Sequence, residues 1–418
     1  MSILIKNVEV NGMRADIAIE GNRIKSIASA FAFRGDSYDD VIDGSHLLAM
    51  PPFYNAHTHA AMTLLRGYAD DLELMDWLNN HIWPAEAKLT RDDIYWGTKL
   101  ACLEMIRSGT VFFSDMYFCP QQILKAVEES GLRAAIGLTV LEASPNREAH
   151  RRDNLEMLER KAELPSRVQL SIAPHAIYTV SDKGLRMSAE LAEREDITLN
   201  IHVAETETEV AQCKEAHNGM TPVEYLADLG VLTSRTVAAH SVHLSEHDIE
   251  LYRERGVVAV FNPVSNLKLC SGLFKFHRLH DAGCRITLGT DGTSSNNNLS
   301  MFDEMKTAAM VGKLSHGGPF GATADEIFQC ATRGGAEAFG IDAGVLGPGR
   351  LADIVLYDLD NPMLTPNYNA VSNMVYSADS SCVDTVICDG QVLMRNRVVP
   401  WGEETIAHAK ECARKFVR

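Results

Sequence analysis

The chain has 418 residues, 46% of them hydrophobic and 23% charged, which is enough to bury a large core. Its formal net charge of −17 argues against nucleic acid as a partner, because a phosphate-binding surface needs clustered lysine and arginine. No apolar run approaches the ~18 residues that cross a bilayer, and the N-terminus lacks the pattern of a signal peptide. Nine scattered cysteines without a Cys-x-x-Cys pair indicate reduced thiols, so we expect a cytoplasmic protein.

Both ends of the chain have the pattern of β-hairpins. Short alternating runs turn at Asn11 and Gly12 near the N-terminus and at Asp389 and Gly390 near the C-terminus. The last segment, residues 403–418, has a helical pattern with basic residues at its end. We therefore predict that residues 1–50 and 350–418 together build one small β-sandwich domain.

Between these ends the pattern changes to short β-rich runs separated by amphipathic helical stretches. Eight such runs occur, at residues 50–59, 110–116, 133–141, 168–179, 197–204, 236–243, 257–262 and 284–291. Eight strand–helix units over residues 51–349 predict an α/β fold, a (β/α)8 TIM-like barrel. A doubly wound sheet is the alternative, but no Gly-x-Gly-x-x-Gly follows the first run.

Polar residues that can bind a metal lie at the ends of several of the predicted strands. His57 and His59 end the first strand, and their i, i+2 spacing places both imidazoles on one side of it. Other strands carry His175, His202, His240 and Asp291. Catalytic residues of such barrels lie at the C-terminal ends of the strands, so this pattern indicates a metal hydrolase site.

The chemistry of these residue types predicts their roles. The predicted metal ligands are His57, His59, His202 and Asp291, a donor set that suits Zn²⁺ or Fe²⁺. A water on that metal would have its pKa lowered towards ~7, and Asp291 could accept its proton. Glu205 lies three residues beyond His202, so it could carry that proton to the substrate, while His240 could orient the hydroxide or stabilise developing charge.

Several stretches resemble a known family. They are residues 55–59 and 63–67, Trp83-Pro84-Ala85-Glu86, Ala173-Pro174-His175, His202-Val203-Ala204-Glu205, Asn262-Pro263-Val264-Ser265-Asn266-Leu267-Lys268-Leu269, and Gly289-Thr290-Asp291-Gly292. Together they resemble the amidohydrolase superfamily, and within it the 5-methylthioadenosine/S-adenosylhomocysteine deaminase group. The resemblance implies a metal-dependent hydrolase barrel with a β-sandwich, zinc as the metal, and hydrolytic loss of ammonia from the adenine 6-position. The substrate would be a small nucleoside such as 5-methylthioadenosine, S-adenosylhomocysteine or 5′-deoxyadenosine, converted to the inosine analogue.

The same resemblance implies roles for further residues. Glu86 would hold the ribose hydroxyls, a role that suits a carboxylate, and His175 would be a further substrate contact. Some members use an arginine after the third strand for a ligand carboxylate, and the sequence leaves Arg147, Arg151 and Arg152 undecided. Two-metal members carry a bridging lysine at the end of the fourth strand, whereas residues 170–179 contain none. One Zn²⁺ per chain, with Fe²⁺ as the alternative, is therefore expected.

Two other interpretations stay open at this point. One is a deaminase or dehalogenase of another heterocycle, such as aminofutalosine, guanine or a triazine. The other is a barrel that has lost catalysis and serves in binding or assembly, although the complete set of ligands and acid–base groups argues against it. The sequence also leaves open whether the chain forms a homo-oligomer.

Overall fold

Two eight-stranded sheets organise the chain in the computed structural model, which describes residues 2–33 and 37–416. In chain order the strands are β1 (Ser2–Val10), β2 (Met13–Glu20), β3 (Arg23–Ser29), β4 (Asp40–Asp43), β5 (Leu47–Met50), β6 (Phe53–Thr58), β7 (Thr110–Asp115), β8 (Arg133–Val140), β9 (Val168–Pro174), β10 (Thr198–Val203), β11 (Thr236–His240), β12 (Val258–Phe261), β13 (Arg285–Leu288), β14 (Ile354–Asp358), β15 (Val383–Cys388) and β16 (Gln391–Met394).

The helices lie mostly between the strands of the second sheet. They are α1 (Leu74–Asp76), α2 (Trp83–Glu86), α3 (Arg91–Arg107), α4 (Pro120–Ser130), α5 (Arg147–Glu159), α6 (Asp182–Glu195), α7 (Glu207–Ala216), α8 (Pro222–Asp228), α9 (Glu246–Arg255), α10 (Pro263–Lys268), α11 (Phe276–Asp281), α12 (Met301–His316), α13 (Ala324–Gln329), α14 (Gly335–Ala338), α15 (Ala370–Tyr376) and α16 (Gly402–Ala413). A π-helical turn, Trp77–Ile82, joins α1 to α2. No helix of the described ranges has the length and apolar composition that crossing a bilayer requires.

The first sheet combines the two ends of the chain, as the sequence predicts. Its strands follow the order β16-β15-β14-β5-β1-β2-β3, and β4 also pairs with β1. The predicted turn at Asn11 and Gly12 connects β1 to β2, and both residues have the positive φ that a tight hairpin turn requires. The sheet has its own apolar core, with Ile3, Ile17 and Leu356 fully buried. Its strand β15 contacts β7 of the second sheet.

The second sheet is the predicted barrel. Strands β6 to β13 are neighbours in chain order, and every adjacent pair is parallel. Each of the eight predicted runs contains one of these strands, although Met50, the first residue of the first run, belongs to β5 instead. The barrel closes where the backbone N–H of Asp291 donates to the carbonyl of His57, at 2.9 Å. The predicted fold class is confirmed.

Helix boundaries follow the capping residues of the sequence. Thr90 caps α3 in a capping box with Asp93, and Ser245 caps α9 in the same way. The helix predicted at the C-terminus is α16, which packs against α3 of the barrel, while residues 417–418 of that prediction lie outside the described residues. The division of the chain into 1–50 with 350–418, and 51–349, stays a prediction.

A buried ion pair joins the two sheets. Arg133, at the start of β8, donates from Nε and Nη2 to the carboxylate of Asp353, at 2.9 and 3.1 Å. The Tyr54 hydroxyl and the backbone N–H of Asp389 donate to the same carboxylate, at 3.0 and 2.7 Å. The Arg133 side chain is 5% exposed and that of Asp353 0%. Removing either charge would leave the other buried without its main partner.

We therefore expect Asp353→Ala to lower the free energy of unfolding by about 3–5 kcal/mol, the cost of breaking a buried pair. Chemical denaturation of the two proteins measures this difference. The matched control is Asp342→Ala, because Asp342 pairs with Arg23 and Arg350 at the surface, where its side chain is 47% exposed. The control should lose no more than about 1 kcal/mol. Equal losses in the two variants would contradict the assignment of Asp353 as the link between the sheets.

Candidate active site

Three histidines meet at the C-terminal end of the barrel. His57 and His59, at the end of β6, have ring centroids 4.9 Å apart, and His202 on β10 lies 4.9 Å from His57. One ring nitrogen of each histidine lies within 4.8 Å of the others. The i, i+2 spacing on β6 and the shared end of the parallel strands bring these rings together.

Backbone carbonyls fix the orientation of two of these rings. Nδ1 of His59 lies 2.7 Å from the carbonyl oxygen of Met116, and Nδ1 of His202 lies 2.7 Å from that of His175. A carbonyl can only accept, so each Nδ1 carries the proton and each Nε2 presents a lone pair to the centre of the group. Nε2 of His57 is buried without a hydrogen-bond partner. An unpartnered nitrogen of this kind suits a metal ligand.

Asp291 completes this group from the residues that follow β13. Its Oδ1 lies 3.2 Å from Nε2 of His59, and its Oδ2 accepts hydrogen bonds from Ser265 and Ser295, at 2.6 and 2.9 Å. Burial by itself raises the pKa of this carboxyl, but the adjacent rings of His57 and His59 reverse that and hold the pKa well below its usual range. Asp291 is therefore an anion held beside the three imidazoles.

Glu205 and His240 face each other beside this cluster. Nε2 of His240 lies 3.6 Å from Oε2 of Glu205, whose Oε1 accepts a hydrogen bond from Ser271 at 3.0 Å. Burial, with a smaller contribution from the charge of Asp291, raises the pKa of Glu205 to about 8. Burial lowers the pKa of His240 to about 4. At neutral pH the pair therefore consists of a protonated carboxyl and a neutral imidazole.

A second buried carboxylate supports Glu205 from behind. Glu209, on α7, accepts hydrogen bonds from the backbone N–H groups of Ala204 and Glu205, at 2.9 and 2.7 Å. Ala204 has a positive φ of 49°, so the chain turns sharply between β10 and α7. Glu209 satisfies the two amides that this turn exposes, and it thereby fixes the direction in which Glu205 points.

These residues line an open pocket at the end of the barrel. Seven of the eight predicted site residues line it, and the eighth, His57, lies buried beneath. The seven are His59, Glu86, His175, His202, Glu205, His240 and Asp291. His175 points its Nδ1 at the Thr179 hydroxyl, 2.9 Å away, and burial lowers its pKa to about 3. The structure thus brings the whole predicted set together, while their roles stay predictions.

Glu86 lines the same pocket from the end of α2. Its Oε1 accepts a hydrogen bond of 2.6 Å from the Tyr117 hydroxyl. Burial raises the pKa of Glu86 to about 6, although the bond from Tyr117 opposes that increase. The π-helical turn before α2 places Trp77 and Leu78 on the same wall. Turns of this kind inside helices are frequent at functional sites.

The undecided arginines line a neighbouring groove. Arg147, Arg151 and Arg152 are on α5, and Arg147 and Arg151 line a groove beside α6 that shares Leu141 with the pocket. Among the described residues that line the pocket there is no lysine or arginine, and its acidic residues are Glu86, Glu205 and Asp291.

Sequence reasoning missed several contacts of the site. Tyr117 and Ser271 follow no recognisable motif, and only the structure places them beside Glu86 and Glu205. Ser265 and Asn266 lie inside a stretch that supports the family resemblance, so a signal was present, but the sequence assigns them no role. Apolar and aromatic walls were also missed, including Trp83. All of these residues lie in the loops and short helices that follow the barrel strands.

The donor set fits a divalent transition metal. Three neutral imidazole nitrogens and one carboxylate oxygen are the ligands that Zn²⁺ and Fe²⁺ accept, and the unpartnered Nε2 of His57 has no other role in the described structure. Carboxyl and imidazole groups suited to proton transfer stand beside the ligands. The parallel barrel and this site together define a metal-dependent hydrolase.

The comparison with known proteins names the family. Residues 48–393 match the model of the Amidohydrolase family, so the chain belongs to that family and the predicted resemblance is confirmed. A 5′-deoxyadenosine deaminase of Methanothermobacter thermautotrophicus is 47% identical over 94% of this chain and 93% of its own length. A 5-methylthioadenosine/S-adenosylhomocysteine deaminase of Archaeoglobus fulgidus is 44% identical over 99% of both chains.

Solved structures agree with the fold. An adenosine deaminase from Xanthomonas campestris with bound zinc superposes with a TM-score of 0.94, at 31% identity, over 99% of this chain and 98% of its own. An Arthrobacter aurescens atrazine chlorohydrolase superposes with a TM-score of 0.89 over 98% of this chain and 100% of its own. At 22% identity, the second likeness concerns the fold alone.

The geometry predicts that the purified protein holds a divalent metal through the histidine cluster. Replacing a ligand should weaken metal binding by at least about tenfold, because even changes behind the ligands cost that much. We expect His57→Ala to lose most of its metal when the metal content per chain is measured by mass spectrometry after dialysis. The control is His247→Ala, whose side chain is 60% exposed on α9. Equal metal content in His57→Ala and the unmodified chain would contradict this assignment.

Proposed function

We propose that the protein is a hydrolytic deaminase that converts a 5′-modified adenosine to the inosine analogue and ammonia. The observation that carries this proposal is a single pocket that holds two chemically distinct groups of residues. One group is the histidine cluster with Glu205 and His240, and the other is Glu86 with Tyr117. The first group suits hydrolysis at a base, and the second suits a ribose. The deaminase names of the relatives from Methanothermobacter and Archaeoglobus support the same class of substrate.

A single Zn²⁺, with Fe²⁺ as the alternative, is the cofactor that we propose. Its ligands are His57, His59, His202 and Asp291. When bound, such an ion supplies an acidified water near neutral pH. The bound zinc of the Xanthomonas relative supports this choice.

The side chains around the proposed metal site carry out the remaining steps of the reaction. Asp291 accepts one proton from the water while the water oxygen attacks C6 of the adenine ring. Glu205 is protonated at neutral pH, so it donates its proton to ring N1. As the C6–N bond breaks, the ionised Glu205 takes the proton of the new C6 hydroxyl, and the proton held on Asp291 passes to the departing amino group, which leaves as ammonia. His240 holds the attacking oxygen through its ring N–H.

The walls of the pocket favour an uncharged 5′ group. Leu74, Trp77, Phe118, Leu141 and Leu269 are among its lining residues, and the described residues of the lining include no lysine or arginine. The carboxylate of a homocysteine tail would meet apolar walls and other carboxylates without a partner, which is costly. We therefore place 5′-deoxyadenosine and 5-methylthioadenosine ahead of S-adenosylhomocysteine. The net charge of −17 supports a small nucleoside and not a nucleic acid as the substrate. The cysteine pattern supports a cytoplasmic enzyme.

An ammonia-release assay on protein of known metal content tests the function. We expect turnover of 5′-deoxyadenosine and 5-methylthioadenosine, with kcat/KM at least about tenfold above that of S-adenosylhomocysteine because its carboxylate would be unpaired. Guanine and a triazine serve as the comparison substrates and should not turn over. The proposal fails if metal-loaded protein releases no ammonia from any adenosine. A preference for S-adenosylhomocysteine would overturn the proposed uncharged 5′ group but would leave the proposed deaminase reaction standing.

Glu86 should control ribose binding in a pH-dependent way. The ionised carboxylate accepts from the ribose hydroxyls, so KM should rise as the pH falls through the pKa of about 6. Tyr117→Phe removes a bond that lowers this pKa, so the rise in KM should begin at higher pH. Glu86→Gln should raise KM by about 10- to 100-fold, the value of hydrogen bonds to a charged group.

The control for this prediction is a second substrate that lacks the ribose hydroxyls. 2′,3′-Dideoxyadenosine lacks both hydroxyls, so its KM should respond little to Glu86→Gln. If Glu86→Gln raised the KM of both nucleosides equally, Glu86 would act on the shape of the pocket and not on the ribose.

A further inference from the structure

The segment Asn262–Lys268 has no role in the reaction as described so far. It follows β12 directly and forms the short helix α10, and Asn262 and Asn266 are 0% and 1% exposed. Their spacing of one helical turn places both side chains on the same side of the segment. Two buried amides that face one direction need a partner there.

That partner is the ring of His240. Nδ2 of Asn266 lies 2.9 Å from Nδ1 of His240, and Nδ2 of Asn262 lies 3.4 Å from the same nitrogen. An amide nitrogen can only donate, so Nδ1 accepts and the single proton of the neutral ring lies on Nε2. Nε2 is the atom that faces Glu205, at 3.6 Å. The amides thus determine which edge of His240 offers a proton to the pocket.

We propose that Asn266, with Asn262 behind it, is a positioning residue that fixes the Nε2–H tautomer of His240 and so makes His240 a hydrogen-bond donor to the attacking oxygen. With the other tautomer, Nε2 would be an acceptor and would repel the lone pairs of that oxygen. Asn266 itself does not line the pocket. The amide of its side chain therefore acts on the reaction through His240.

The same segment also holds Asp291. The Ser265 hydroxyl, between the two asparagines in α10, donates to Oδ2 of Asp291 at 2.6 Å. A buried carboxylate in turn holds α10, because Oε2 of Glu304 accepts from the backbone N–H of Val264 at 3.3 Å and its Oε1 accepts from Asn296 at 2.5 Å. Glu304 therefore holds one side of α10, while the other side of α10 orients His240 and Asp291.

Nitrogen NMR reads the tautomer directly. The zinc-loaded enzyme is labelled at the imidazole nitrogens, and the signals of His240 are assigned by their loss in His240→Ala. We expect the unmodified protein to show a protonated Nε2 and an unprotonated Nδ1. In Asn266→Asp, which keeps the shape of the side chain but offers only acceptors, Nδ1 should become protonated. A protonated Nδ1 in the unmodified protein would overturn the proposal, whether or not any variant folds.

Steady-state kinetics give the second readout. In Asn266→Ala we expect kcat to fall by about 10- to 100-fold while KM changes less than about threefold, because the lost interaction acts in the transition state. Asn262→Ala, which removes the longer contact, should have a smaller effect on kcat. A kcat of Asn266→Ala within about twofold of the unmodified enzyme would overturn the proposal.

The matched control is Asn200→Ala. Asn200 is a buried asparagine of the barrel, 3% exposed, and it donates to the Ser114 hydroxyl at 2.6 Å away from His240. It should lower stability without changing the nitrogen signals of His240. The expected change in kcat rests on the proposed deaminase reaction, whereas the expected tautomer of His240 does not depend on that reaction. An enzyme with the expected tautomer and no ammonia release would refute the reaction and leave the assignment of Asn266 standing.

Discussion

The site depends on how the barrel closes. The first and last barrel strands meet where the Asp291 N–H donates to the His57 carbonyl, and Asn55 reinforces this seam by accepting from the Thr290 N–H at 3.0 Å and donating to its hydroxyl at 2.7 Å. The closure therefore uses the backbone of two predicted metal ligands. Residues that are far apart in sequence reach one centre because parallel strands end at the same edge, so a shift of register at this seam would separate His57 from Asp291.

Burial then determines the protonation states of the site. Taking a group out of water disfavours its charged form, so it lowers the pKa of His57 and His240 to about 4 and raises that of Glu205 to about 8. Neutral imidazoles are the form that coordinates a metal, and a neutral carboxyl is the form that donates a proton. Asp291 escapes the same effect because the rings of His57 and His59 lie beside its carboxylate and lower its pKa. In the same low-dielectric surroundings, Glu205 is therefore the acid and Asp291 is the base.

Sequence patterns predicted the polar residues at the strand ends, and the family resemblance added Glu86, but neither predicted the contacts that the loops and short helices make with them. His57, His59 and His202 could be placed because strand periodicity and the rule for barrel ends determine where they point. The contact of Tyr117 with Glu86 joins residues 31 positions apart through loop conformations that no periodicity encodes. The sequence did not predict the role of Asn266 for the same reason. The residues of a short helix after β12 do not indicate which side of that helix faces His240. The arginines of α5 were left undecided because a helical pattern does not show which pocket its exposed side faces.

This division between strands and loops also explains how one fold serves different substrates. An atrazine chlorohydrolase shares the whole architecture with a TM-score of 0.89 at 22% identity, so the barrel itself carries little information about the substrate. In the present chain the groups proposed to select a nucleoside lie outside the strands: Glu86 on α2, and Trp77 on the π-helical turn before it. The groups that orient the reactive centre come from α7 and α10, through Glu209, Ser265 and Asn266. Substrate choice can therefore change through the segment between β6 and α3 while the hydrogen bonds that hold Asp291 and His240 remain in place.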